Sequence, residues 1–336
     1  MKIIIDSSGF NRWGGGRDFL NHIVDCLEAV DIAEITLVLY NYHKLGSVGF
    51  VKNIIKRLLN LFFNAKHSLD PSISLQMEWF NIRDGRNYNV ISPRNRQSFF
   101  QHLPDDYVVL PCFYPLGKND INWIGYIYDY QHKYLVDYFT KEEIKSRDHS
   151  FSEMLLRADK VLVNSKKTRD DIVKFSPEYS GQILVLPYSP HPNESWLLNH
   201  YSTDLDISAF GRYFIVSNQL WLHKNHITVI KALHNLININ NLNDVSVICT
   251  GDLSDHRNPN YYTELMALIK DLNLEGKFLF LGHIPKLDQI ELLKNAVALV
   301  QPTLYEGGPG GGSVYDAVSL GVPVIVSDID VNCEID

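Results

Sequence analysis

Three charged side chains and a run of glycines carry residue types suited to an anionic, hydroxyl-bearing ligand. Lys224 stands in "YFIVSNQLWLHKNHITVIKAL", between an expected strand and an expected helix that opens near Asn225 or His226. A helix N-terminus presents unpaired N–H groups and a positive dipole end, and a lysine beside it adds a full charge. A phosphate fits such a place. The alternative is a solvated loop lysine followed by a plain N-cap, Asn225.

The segment "YEGGPGGGSVYDA", residues 305–317, sets five glycines between Glu306 and Asp316. An expected strand, "ALVQPT", precedes it and an expected helix, "SVYDAVSLG", follows. Small residues let a phosphate approach the amides of Gly310, Gly311, Gly312 and Ser313 at the helix start. The acids cannot serve the phosphate. Carboxylates accept from hydroxyl pairs such as those of ribose or a hexose, so acids flanking a phosphate cradle point to a nucleotide-sugar. The alternative is a mobile surface loop whose Asp316 complements the helix dipole.

The first half offers a second glycine cluster, Gly14, Gly15 and Gly16 in "SSGFNRWGGGRDFLNHI", between the first strand and the first helix. It lacks the GxGxxG spacing of a dinucleotide site, which disfavours a nicotinamide or flavin cofactor. An ordinary strand-to-helix turn remains the alternative. In "YIYDYQHKYLVDYF", residues 126–139, Asp129 and His132 follow a strand, where side chains of an α/β sheet face a binding crevice. His132 could polarise a sugar hydroxyl, or it could be structural like most of the 13 histidines. Residues 50–67, "FVKNIIKRLLNLFFNAKH", combine an apolar face with Lys52, Lys56, Arg57 and Lys66. Such a helix can lie on an anionic membrane surface, or pack on the sheet with its charges solvated.

The elements that must position these residues alternate as short apolar runs and longer periodic ones, the pattern of an α/β fold with parallel sheets. Expected strands are "KIIID", "EITLVLY", "YVVLPC", "NWIGYIYD", "DKVLVNS" and "QILVLP", and the order restarts at "YFIVSNQ" with "VSVICTGD", "KFLFLGH", "ALVQPT" and "VPVIVSD". Expected helices include "GGRDFLNHIVDCLEAV", "KEEIKSRDHSFSEMLLRA", "KKTRDDIVKFS", "NYYTELMALIKDLNL" and "LDQIELLKNA". Two domains follow, residues 1–200 and 201–336, with residues 189–212 as linker. The last residues stop directly after a strand, so the second domain reads as truncated. A net charge of -8 argues against a nucleic-acid partner. The four cysteines are far apart, without metal-site spacing, and fit a reducing cytoplasm. No signal-peptide core or transmembrane stretch is expected.

Taken together, "NQLWLHKNH", "CTGDLSD", "FLFLGHIPKLDQIELLKNAVALVQPTLYEGG" and "DAVSLGVPVIVSD", with "WGGGRDF", "YDYQH" and "ADKVLVNSKKTRDDIVKF" in the first half, resemble the retaining GT-B-fold glycosyltransferases of family 4. The resemblance spans nearly the whole chain. It implies two Rossmann-like domains facing across a cleft, an N-terminal one for the acceptor and a C-terminal one for a nucleoside-diphosphate sugar. By the same resemblance Lys224 pairs with the diphosphate and steadies the leaving group, Glu306 meets the sugar's hydroxyls, and Asp316 meets the ribose. The amides of Gly310 to Ser313 cradle the diphosphate, and Asn225 belongs to the donor site. Ile284 falls where main-chain atoms meet the base, His132 near the reaction centre, and Gly15 and Gly16 in the loop over the phosphates. No metal and no cofactor are implied.

The chain departs from the family's pattern in three places. Nine residues separate its acids instead of seven, and the second acid is Asp316 where the family has Glu. Gln219 stands where an arginine is usual, five residues before the lysine. The expected truncation would leave out the last helix, which family members send back to the first domain. The expected activity is transfer of a hexose, mannose as a first guess, from a nucleoside-diphosphate sugar to a saccharide or lipid-linked acceptor with retention. The expected setting is surface polysaccharide or lipopolysaccharide synthesis, in the cytoplasm or at the inner face of the membrane. A nucleotide-sugar epimerase of the same fold and a non-catalytic nucleotide- or carbohydrate-binding protein are the alternatives.

Overall fold

The computed structural model describes residues 2–10, 14–30, 34–38, 89–91, 96–117, 121–187, 196, 203 and 205–335. The basic segment 50–67, proposed above as a membrane contact, lies outside the described residues, as does most of the linker before residue 205. Contacts divide the chain into two compact units, Met1–Tyr126 with Arg157–Lys160, and Ile127–Leu156 with Val161–Asp336.

In the first unit the sheet runs β3-β2-β1-β4-β5: β1 (Lys2–Asp6), β2 (Glu34–Val38), β3 (Asn89–Ile91), β4 (Tyr107–Cys112) and β5 (Asn122–Tyr126). Each of these neighbouring pairs is parallel. β1 is apolar from Ile3 to Ile5 and buried there on both faces, as a central parallel strand must be. Helix α1 (Gly14–Ala29) follows it, with Gly15 and Gly16 in its first turn. Helix α2 (Arg96–Gln101) contributes Arg96, which donates to the buried Asp6 carboxylate at the end of β1 from Nε (2.9 Å) and Nη2 (2.7 Å).

The second unit holds β6 (Lys160–Val163) from Val161 onward, beside β7 (Gln182–Val185), and a five-stranded parallel sheet in the order β10-β9-β8-β11-β12. Its strands are β8 (Arg212–Ser217), β9 (Val245–Thr250), β10 (Phe278–Gly282), β11 (Leu299–Gln301) and β12 (Val324–Val326). Four helices sit among them in the chain: α6 (His226–Asn238), α7 (Tyr261–Asp271), α8 (Lys286–Asn295) and α9 (Gly312–Ser319). Alternation along β8 feeds two cores. Val216 joins Val229, Ile230 and Leu233 of α6 and Leu265 and Ile269 of α7. Tyr213 and Ile215 join Leu292 and Leu293 of α8 and Val314 and Ala317 of α9. A period of two on the strand therefore requires helices on both faces.

Shorter helices precede this sheet in the same unit: α3 (Gln131–Tyr134), α4 (Lys141–Arg157) and α5 (Lys166–Phe175). Their starts are written locally. At α4 the Thr140 amide donates to Glu143 Oε2 (2.7 Å) and the Glu143 amide to Thr140 Oγ1 (3.2 Å), a reciprocal capping box. At α5 Ser165 Oγ accepts from the Thr168 amide (2.9 Å), and Glu334 accepts from the amides of Lys166 and Lys167, each at 2.7 Å. Three of the four donors orphaned at that helix start are thereby satisfied.

The order β10-β9-β8-β11-β12 reverses direction between β8 and β11. Loops leaving the carboxyl ends of strands at such a reversal diverge and leave a crevice, the usual ligand position in open α/β sheets. Lys224 follows β8, and Glu306 follows β11.

Candidate functional site

The loop after β8 closes with a 3-10 turn at Leu222–Lys224, and Asn225 then adopts a left-handed conformation, φ 60° and ψ 42°, before α6. Asparagine tolerates that region better than most side chains. Its side chain is not the plain N-cap of the simpler reading. Asn225 Nδ2 donates to the Pro302 carbonyl (3.1 Å), and the Leu304 amide donates to the His223 carbonyl (2.8 Å). These bonds tie the loop after β8 to the loop after β11.

Across this junction Lys224 Nζ donates to Glu306 Oε1 at 2.5 Å, with only 11% and 13% of the two side chains exposed. Gln301, buried at the end of β11, arranges the surroundings. Its Nε2 donates to Glu306 Oε1 (3.1 Å) and to the Gly310 carbonyl (2.6 Å), and its Oε1 accepts from Ser313 Oγ (3.1 Å). One amide side chain thus fixes the acid, the glycine loop and the first turn of α9.

Of the cradle amides, Gly310 donates to Asn332 Oδ1 (3.0 Å) and Gly311 to the Pro309 carbonyl (2.6 Å). Gly312 and Ser313 then open α9, whose first amides have no intrahelical acceptor. Asp316, buried on α9, is ion-paired with Lys286 at the start of α8, and Lys286 also lies 5.0 Å from the centre of the Trp196 ring. Burial pushes the Asp316 carboxyl above its usual range, and Lys286 opposes that shift. Ile284 is half-buried against the core shared by α8 and α9. Gln219 lies in the turn after Asn218, and the Trp221 amide donates to its carbonyl (2.7 Å).

The glycine loop runs close to the segment after β5. A Cβ on Gly307 would stand 2.2 Å from the Tyr128 carbonyl oxygen. The Gly307 carbonyl accepts from Ser165 Oγ (3.0 Å) and Thr168 Oγ1 (2.9 Å), and the Tyr130 amide donates to Tyr305 Oη (3.0 Å). His132 is fully buried in α3. Its Nε2 lies 2.8 Å from Asp148 Oδ1, and Arg147 Nε donates to Nδ1 at 3.1 Å. Accepting at Nδ1 makes Nε2 the protonated nitrogen, so both ring nitrogens are engaged by α4. Burial holds the His132 pKa below its ordinary value although Asp148 pulls it up. Gly15 and Gly16 belong to the first unit; Gly16 is buried and Gly15 exposed. The structure therefore brings Lys224, Glu306, Asn225, Gly310 and Ser313 into one bonded network, while Asp316 and His132 sit in ion-pair clusters of their own.

Residues 204–335 match the family described as Glycosyl transferases group 1. Among solved structures, Anabaena Alr3699/HepE in complex with UDP-glucose is 16% identical, over 100% of this chain and 83% of that one, with a TM-score of 0.57. Sucrose-phosphate synthase (tll1590) from Thermosynechococcus elongatus is 14% identical over 98% of this chain and 82% of that one, TM-score 0.56. WaaG, a glycosyltransferase involved in lipopolysaccharide biosynthesis, is 14% identical with the same coverage and a TM-score of 0.54. No curated protein matches the chain. These likenesses establish the fold, the GT-B class with two Rossmann-like α/β domains.

Within the matched segment, two histidines flank Lys224. His223 and His226 are buried, and both ring nitrogens of His226 lack a hydrogen-bond partner. Burial lowers the His223 pKa from 6.5 to about 2, helped by Lys224 and then Arg257, and lowers that of His226 from 6.5 to about 3, helped by Lys224. Both rings are neutral in the folded protein at neutral pH, whereas the unfolded chain protonates them below about 6.5. Stability is therefore complete above that pH and falls as the pH drops, by about 1.4 kcal/mol per unit for each ring. Urea melts at pH 7.5 and 5.5 should differ by roughly 3 kcal/mol from this pair, and His226→Leu should flatten the dependence. An unchanged slope in that variant would reject the account.

Sequence patterning pointed to the acids, the lysine and the glycines, but not to Gln301, Asn332 or Arg147. Gln301 had a signal: it is the polar end of an otherwise apolar strand, and a polar side chain buried there must be bonded to something. The others act through contacts made by distant segments. Among the described residues no group of three or more His, Cys, Asp or Glu is placed to hold a metal, and no helix is long and apolar enough to cross a membrane.

Proposed function

We propose that the chain is a retaining glycosyltransferase that moves a hexose from a nucleoside-diphosphate sugar to a saccharide or lipid-linked acceptor. The observation that carries this reading is the Lys224–Glu306 pair, held by Gln301 at the carboxyl ends of β8 and β11 where the strand order reverses. Residues 1–200 serve as the acceptor domain and 201–336 as the donor domain. The UDP-glucose held by HepE supports a nucleoside-diphosphate hexose as the donor class. GDP-mannose is the first donor to try, and a surface polysaccharide or lipopolysaccharide precursor the first acceptor.

In the donor complex Lys224 turns from Glu306 to the diphosphate and stabilises charge as it builds on the leaving group. Glu306 is then free to accept from the sugar's hydroxyls, and Asp316 from those of the ribose. The acceptor oxygen bonds to the anomeric carbon on the face the diphosphate leaves. The carbon–phosphate oxygen bond breaks, and the acceptor's proton passes to the departing phosphate oxygen. No enzymatic nucleophile and no metal are required. His132, neutral and clamped by Asp148 and Arg147, fixes the wall beside the reacting sugar through its backbone and ring.

The test is a thermal-shift panel of UDP-, GDP- and dTDP-hexoses, followed by product analysis with the best donor, with and without a saccharide acceptor. A donor that binds the folded but not the unfolded chain raises the melting temperature by mass action. The expected result is one stabilising donor and a glycosylated product formed only with acceptor. Conversion of the donor sugar without acceptor would identify an epimerase, and binding without turnover a non-catalytic protein. Either result overturns the transferase reading.

A further inference from the structure

A nucleoside diphosphate brings several negative charges to a place where Lys224 is already neutralised by Glu306. Other cations of the second unit are also committed: Arg147 to Asp129, Lys133 to Asp148 and Lys286 to Asp316. Arg257, in the segment between β9 and α7, differs from them. Among the described residues no carboxylate oxygen lies within 4.0 Å of its guanidinium. Its Nε is buried without an acceptor, and Nη1 reaches only Gln131 Oε1, at 3.5 Å. The flat face rests on the Phe139 ring, 4.2 Å from its centre. Burial lowers its pKa, and the more distant Glu143 and Asp255 only partly offset that. Leaving a charged, multi-donor group half-buried and unanswered is costly, and such groups are normally paired.

The position of Arg257 is fixed by the same residue that fixes the lysine turn. Asp255, itself buried, accepts from the Leu222 amide through Oδ2 and from the Arg257 amide through Oδ1, each at 2.9 Å. The two loops are locked further where the Leu220 amide donates to the Asp252 carbonyl (2.8 Å). Lys224 and Arg257 therefore belong to one hydrogen-bonded assembly, and both contribute to the positive field around His223.

We propose that Arg257 is the second cation of the diphosphate site, releasing its long contact to Gln131 and presenting its planar fork to the phosphate oxygens beside Lys224. The inference rests on the nucleoside-diphosphate reading above. A guanidinium offers parallel donors that match two oxygens at once, which a lysine cannot do. Its stacking on Phe139 already restricts the side chain, so little rotamer freedom is lost on binding.

The experiment is isothermal titration calorimetry of UDP, GDP and dTDP, and of the matching monophosphates, on the full chain and on Arg257→Ala and Arg257→Lys. With the best-bound base, Arg257→Ala should lose at least about tenfold in diphosphate affinity and less than about threefold in monophosphate affinity, with Arg257→Lys between. Diphosphate affinity within twofold of the parent chain, or an equal loss for both ligands, overturns the inference. A parent chain that binds none of the three diphosphates overturns the donor reading itself, and the inference with it. Should Arg257→Ala fail to fold, Arg257→Gln keeps the Phe139 contact and is judged by the same ratio.

Discussion

Lys224→Ala is expected to reduce kcat for sugar transfer by about two to three orders of magnitude, the usual loss when one preorganised donor to a developing negative charge is removed. Glu306→Ala should do comparable damage by releasing the hydroxyls of the transferred sugar. Each variant also strands its partner. The two side chains are about nine-tenths buried, so an unmatched charge at either position should lower stability by about 3 kcal/mol. Gln301 softens the loss for Lys224→Ala, because its Nε2 still donates to Glu306.

A double replacement separates the two effects. In Lys224→Met with Glu306→Leu both charges disappear and apolar volume remains, so the stability lost by either single variant should largely return. Activity should stay absent. Urea denaturation and a transfer assay on the three proteins decide the matter: recovered stability with recovered transfer would show that the pair is only structural. Failure of stability to return would show that the surrounding packing, rather than charge, responds to the substitutions.

Much of the fold was legible because its signals are local. "YVVLPC" became β4 without change, and "KKTRDDIVKF" became α5, started by Ser165 as an N-cap. Reading the restart at "YFIVSNQ" as a second sheet worked because alternation along β8 requires apolar helices on two faces, and the four following helices supply them. The site was legible in its residue types but not in its bonds. Lys224 and Glu306 are 82 residues apart, and only the reversal of strand order brings their loops together. Spacing placed Asp316 at the first turn of a helix; α9 starts at Gly312, so Asp316 lies in its second turn, and its ion pair with Lys286 depends on how α8 packs beside α9. His132 shows the same limit. A histidine after a strand end reads alike whether it meets a ligand or is clamped, as here, by Asp148 and Arg147 from α4.

The glycine run carries the other large effect, and two of its members should fail for different reasons. Gly310 has φ +60°, and a Cβ there would meet Val314 Cγ1 at 2.7 Å. Alanine at 310 therefore combines a left-handed backbone, about 1–2 kcal/mol, with overpacking of about 1–3 kcal/mol. It would also shift the carbonyl that Gln301 uses to hold the loop, so transfer should fall about a hundredfold or more through Glu306. At Gly307 the added methyl would stand 2.2 Å from a main-chain oxygen, that of Tyr128, and the Gly307 carbonyl is anchored by Ser165 and Thr168. Backbone cannot rotate aside as a side chain can. A Cβ at 310 would also stand 2.8 Å from Val314 Cβ. Val314→Gly, which removes both overlapping carbons, should thus partly rescue Gly310→Ala, with a double-mutant coupling of about 1 kcal/mol or more in denaturation midpoints, and should leave Gly307→Ala unrescued. Equal rescue of both, or of neither, would mean that the loop relaxes as a whole and that its glycines are not individually required by the contacts they make.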